Sequence, residues 1–95
     1  MQEYVFVVRW SDEVGEIEGD VAAYTQDMLA HEHAAKAQQI GDHLWETYHE
    51  PRSRRVVEPD EDEPTNPFDA DYGASWFGGR KFYFVVRIPL RTSLP

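Results

Sequence analysis

Tyr4-Val5-Phe6-Val7-Val8-Arg9-Trp10 decides the fold of this chain. Tyr4, Phe6, Val8 and Trp10 face one way and Val5, Val7 and Arg9 the other, the period-two alternation of a strand. The tetrapeptide Phe6-Val7-Val8-Arg9 returns near the C-terminal end as Phe84-Val85-Val86-Arg87. Around it, Lys81 to Leu90 reads as an equally clear strand, with Phe82, Phe84, Val86, Ile88 and Leu90 on one face and Lys81, Tyr83, Val85 and Arg87 on the other. We read the shared tetrapeptide as two strands in similar surroundings of one sheet, as neighbours, and not as a duplication. Pro89 has no N–H to donate, which puts the end of the last strand at an edge or beyond the ladder.

Outward from the first strand, Ser11 to Gly19 is polar and carries Gly15 and Gly19, which suits a hairpin connection. A short second strand is expected around Ile17 to Tyr24; the alternative starts the helix at Asp20. Thr25 is the expected N-cap, and Asp27 falls in the first turn, where a negative charge suits the helix dipole. From Gln26 to about His49 the residues are good helix formers, with apolar positions at Leu29, Ala30, Ala34, Ala37, Ile40, Leu44, Trp45 and Tyr48. Glu32, Lys36, Gln39, Asp42 and Glu46 lie on the opposite side, and Glu32 stands four before Lys36, the favourable order for an ion pair. Unbroken, such a helix is about 36 Å long, so Gly41 is expected either to let it pack closely on the sheet or to bend it. Pro51 is expected to end it, followed by Arg52, Arg54 and Arg55 and a brief strand at Arg55 to Glu58. The fold class is therefore α+β: a mostly antiparallel sheet of three or four strands with one long helix across it, in a single domain, 1–95.

The chain has 95 residues, 41% hydrophobic and 14% aromatic, which is too apolar for a solvated coil. Three Trp, five Tyr and five Phe can supply core where aliphatic residues are few. With no cysteine, disulfides, thiolate chemistry and Cys-based zinc sites are excluded. The start, Met1-Gln2-Glu3-Tyr4, lacks the pattern of a signal peptide. No apolar run approaches the length that spans a bilayer, so a cytoplasmic protein is expected. The net charge of −9 argues against direct nucleic-acid or anionic-membrane binding and suits a basic partner, or solubility alone.

Patterns that carry catalysis or bind metals fail on inspection. His31 and His33 are about 200° apart around a helix and cannot share one ion from it. Glu46-x-x-His49 supplies one quarter of a di-iron site, whose other helices are missing. His33, beside the apolar stripe, reads as a packed, hydrogen-bonded histidine. Asp60 to Asp71 has the length of an EF-hand loop but places Thr65 and Asp71 where Gly and Glu are required, with Pro64 and Pro67 inside. Asp69-x-Asp71-x-Gly73 would hold calcium weakly at most. Gly73-Ala74-Ser75-Trp76-Phe77 stops one glycine short of a nucleophile elbow and lies in a loop. Gly78-Gly79 reads as a turn, not a phosphate loop. Asn66-Pro67-Phe68 matches a tripeptide ligand of some trafficking domains, a match that arises easily by chance. No catalytic residue, metal or cofactor is expected.

Two features remain, both bearing on a protein partner. Pro59 to Gly79 has no periodicity over a length at which loops tend to be functional or disordered. It holds most of an acidic run (Glu58, Asp60, Glu61, Asp62 and Glu63) and the aromatics Phe68, Tyr72, Trp76 and Phe77. An extended chain advances about 3.3–3.6 Å per residue, close to the roughly 3.4 Å per phosphate of a DNA strand, so an acidic run can imitate a phosphate backbone in a basic groove. The plain alternative is a solvated, self-repelling loop. Glu58, Asp60, Glu61, Asp62, Glu63, Phe68, Asp69, Asp71, Tyr72 and Trp76 are the expected contact residues. Asp12, Glu13, Glu16, Glu18 and Asp20 form a secondary acidic cluster. Against this, the aromatics could fold back and supply core.

In outline, through Tyr4 to Trp10, a helix entered by Val21-Ala22-Ala23-Tyr24-Thr25 and the closing strand Phe82 to Leu90, the chain resembles small acidic proteins of bacteriophages and mobile elements that disable host defences, anti-CRISPR proteins above all. That resemblance implies a non-enzymatic inhibitor in the host cytoplasm that binds a nuclease or surveillance complex and blocks its nucleic-acid path. It assigns no residue. The other expectation is a virion-assembly or antitoxin-like protein that binds through the aromatic loop or a strand edge, with a homodimer among its forms.

Overall fold

The computed structural model describes residues 2–53, 64–72, 80–91 and 93–94. It is an α+β arrangement: β1 (Tyr4–Ser11), β2 (Glu18–Tyr24), the helix α1 (Asp27–Leu44), a π-helical turn (Trp45–His49), the short α2 (Glu50–Ser53) and β3 (Phe82–Pro89). The three strands form one antiparallel sheet in the order β2-β1-β3. The two copies of the tetrapeptide are neighbours, paired head to tail: Phe6 opposite Arg87, Val7 opposite Val86, Val8 opposite Val85 and Arg9 opposite Phe84. Tyr4 is still opposite Pro89, and beyond that pair the Leu90 N–H donates to the Glu3 carbonyl at 2.8 Å. The expected brief strand at Arg55 to Glu58 lies outside the described residues.

Because α1 buries a stripe of small residues, Ala30, Ala34, Ala37 and Gly41, it can approach the sheet closely. The stripe packs on Val8, which is fully buried, with Phe6, Ala22, Tyr24, Tyr83 and Val85 around it. These residues share one face through the register, Phe6 with Tyr24 and Val8 with Ala22 and Val85. The helix thus covers the face of β3 that carries Tyr83 and Val85. Alternation turns the more apolar face, Phe82, Phe84, Val86 and Ile88, away from it. Leu29, expected on the buried stripe, is exposed together with Met28.

Two boundaries differ from the sequence reading. Gln26, not Thr25, occupies the N-cap with extended backbone and makes no side-chain cap bond. Tyr24 is still paired with Phe6 in the sheet, so the chain needs Thr25 and Gln26 to leave the strand. At the other end Pro51 does not stop the helical path but lies within α2. The N–H of Glu50 bonds to the carbonyl of Trp45, five residues back, which resets the ladder. Pro51 follows closely on this π turn, whose wider ladder replaces the i→i−4 bonding that a proline would break. α1 passes Gly41 without interruption.

The β1–β2 connection is a tight turn. Asp12 N–H donates to the Ile17 carbonyl at 3.0 Å, and the Asp12 carboxylate accepts the N–H of Glu16 at 2.8 Å. Gly15 sits at φ +74°, a conformation that side chains resist. Farther along β2, register slips between Val8 and Arg9, so that Val8 faces Ala22 while Arg9 faces Asp20, with Val21 as the extra residue of a bulge. Gly19 lies flat against the buried indole of Trp10, and a Cβ there would meet Nε1 at 2.4 Å. A Cβ at Gly41 would meet only ordinary contacts, 3.4 Å from Tyr83 and 3.8 Å from Asn66. Gly19→Ala is therefore expected to cost about 1–3 kcal/mol by overpacking. Gly41→Ala, which gains about 1 kcal/mol of helix propensity, should match or exceed the parent. Urea midpoints of the two variants check the contrast.

Candidate functional site

The segment 64–72 is built into the body of the protein. Pro67 takes the second position of a turn in which Asp69 N–H donates to the Asn66 carbonyl at 3.0 Å, and Tyr72 N–H donates to the Asp69 carbonyl at 3.0 Å in the next. Asn66 is buried: its Oδ1 accepts the N–H of Phe68 at 3.0 Å and its Nδ2 donates to the Ala37 carbonyl of α1 at 3.0 Å. The tripeptide Asn66-Pro67-Phe68 thus serves its own fold.

Its anchor is a buried ion pair. Lys81 Nζ lies 3.0 Å from Asp69 Oδ2, with side-chain exposures of 1% and 2%. Tyr83 donates its O–H to the same Oδ2 at 2.7 Å, and Asp71 N–H donates to Oδ1 at 3.1 Å. Nζ stands 4.3 Å from the centroid of the Trp10 ring and 5.6 Å from that of Tyr72. Gln38 of α1 completes the join: its Nε2 donates to the Lys81 carbonyl at 3.2 Å and its Oε1 accepts Tyr83 N–H at 2.7 Å. Burial, reinforced by the bond to Asp69, pushes the Tyr83 hydroxyl far above the ordinary tyrosine range.

His33 ties the segment to β2. A carbonyl can only accept, so Nε2–H donates to Phe68 O at 2.6 Å and, in the neutral ring, Nδ1 accepts the Tyr24 hydroxyl at 2.6 Å. This is the packed, hydrogen-bonded histidine that its place beside the apolar stripe suggested. Arg80 extends the contact, its guanidinium 2.8 Å from Asp42 on α1.

These placements divide the expected contact residues. Asp69 and Tyr72 are buried and engaged within the fold, the first by Lys81 and Tyr83 and the second against the ammonium of Lys81 and the ring of His49. Both belong to the interior of the described structure. Phe68 is half-buried between His33 and Lys36. Asp71 is exposed. Glu58, Asp60, Glu61, Asp62, Glu63 and Trp76 lie outside the described residues. Lys81, Asn66 and Gln38 were missed by the sequence reading, which had no local signal for them.

The secondary acidic cluster is brought together at one end. Glu13, Glu16 and Glu18 are exposed on the β1–β2 hairpin, and none has an ion pair within salt-bridge distance among the described residues. Val14, 73% exposed, and Ile17 lie between them. Asp12 instead closes the turn, and Asp20 is paired with Arg9 at 2.7 Å. Among the described residues no group of three or more His, Cys, Asp or Glu is placed to hold a metal ion, and no helix is long and apolar enough to cross a membrane. No family model, curated protein or solved structure matches the chain.

The hydroxyl of Tyr83 gives a pH test. Its unfolded value is about 10 and its folded value is raised, so the unfolded chain loses this proton first. Stability from this group is full below pH 10 and falls as pH rises beyond it. Chemical denaturation between pH 8 and 11 should show a decline that is less steep in Tyr83→Phe.

Proposed function

We propose that the chain is a non-enzymatic protein-binding domain that presents the acidic β1–β2 hairpin to a basic surface. The observation that supports this reading is the set of exposed carboxylates of Glu13, Glu16 and Glu18 around the exposed Val14, on a turn held by the Asp12 side chain. Arg9 feels Glu18 and Arg80 feels Glu13, but carboxylates outnumber these cations at the hairpin, and the net negative potential steers a cationic partner. Exposed apolar side chains between them add contact area that a simple polycation would not use. A basic groove that ordinarily holds nucleic acid has the matching chemistry, and an inhibitor of the anti-CRISPR type is the finer form of the proposal. Asp69 and Tyr72 are buried, so among the described residues the hairpin carries this reading.

A second reading, an assembly or antitoxin-like protein, draws on the sheet face turned away from α1, where Phe82 and Ile88 are exposed. Light scattering discriminates: a stable homo-oligomer favours it. For the first reading, pull-down from a cell lysate should lose at least about tenfold of the captured partner on moving from low to high salt. The same loss is expected on replacing Glu13, Glu16 and Glu18 by Gln. Capture unchanged by either removes the acidic hairpin as the contact.

A further inference from the structure

The surroundings of Lys81 are those of a bound ligand as much as of a structural lysine. Its Nζ faces the Trp10 ring at 4.3 Å and Tyr72 at 5.6 Å, and it meets a single carboxylate oxygen, Asp69 Oδ2, at 3.0 Å. Ring faces beside a dry carboxylate recognise organic ammonium ions. We propose that Trp10, Tyr72, Tyr83 and Asp69 form a site for a primary alkylammonium ion, filled in the wild-type chain by its own Lys81, which latches the start of β3 to the segment 64–72.

The geometry fixes the class of ligand. A guanidinium pairs best with both oxygens of a carboxylate, but Oδ1 already accepts the N–H of Asp71 and Oδ2 the hydroxyl of Tyr83. One N–H···O bond and the ring faces remain, which suits a compact ammonium head on a narrow apolar stem. A neutral alcohol of the same length would leave the buried carboxylate without its counter-charge.

Lys81→Ala removes three methylenes and the ammonium, so n-propylammonium is the matching probe. Its thermal midpoint should fall by roughly 10 °C or more. n-Propylammonium chloride should raise it saturably, while n-propanol and potassium chloride at equal concentration should not, and wild type should not respond. Lys81→Ala combined with Asp69→Asn should lose the response. If Lys81→Ala is unfolded at room temperature, the same titration reads the return of native circular dichroism. A variant that gains no more from n-propylammonium than from potassium chloride, or stays unfolded in it, overturns the proposal, as does an equal response of wild type.

Discussion

The ion pair between Lys81 and Asp69 is the contact on which the arrangement of the rest depends. Removing two charges from water costs several kcal/mol for each ion, and here the cost is offset on every side. Asp69 accepts from Lys81, Tyr83 and the Asp71 backbone, and Lys81 has the faces of Trp10 and Tyr72. The participants come from β1, the segment 64–72 and the start of β3, and Gln38 brings in α1. Such a pair adds little net stability over an apolar equivalent but penalises any arrangement that leaves one partner alone. In this domain that penalty fixes where the 64–72 segment sits.

Fixing that segment determines what remains for a partner. With Asp69, Tyr72 and Asn66 buried, the acidic and aromatic stretch that drew attention in the sequence is partly consumed by the fold. Among the exposed carboxylates of the described residues, Glu13, Glu16 and Glu18 lie together on the β1–β2 hairpin, at the opposite end of β1 from Tyr4. Position follows from pairing: Ser11 opposite Glu18 sets the last rung, and the Asp12 turn closes it.

Which parts could be read from the sequence follows the range of the interactions. β1, β3 and their adjacency were readable because alternation is local and the repeated Phe-Val-Val-Arg reports a shared environment. The small-residue stripe Ala30, Ala34, Ala37 was readable for the same reason. Pro51 was misread because its tolerance depends on a π turn that no propensity marks. Lys81 looked like a solvated strand residue and Asp69 like one more carboxylate in an acidic loop. They stand twelve residues apart, and Trp10 lies far from both in sequence, so only the folded chain shows that the three belong together. In an acidic protein, abundance hides the one carboxylate that is buried among the described residues.

The most direct measurement is the NMR signature of the two lysines, Lys36 and Lys81. The account predicts that the ε-methylene protons of Lys81 are shifted upfield by the Trp10 ring, with nuclear Overhauser contacts to Trp10 and Tyr72, while those of Lys36, about half exposed and 5.7 Å from the Phe68 ring centroid, shift less. Lys81 resonances at random-coil positions without contacts to either ring would contradict it.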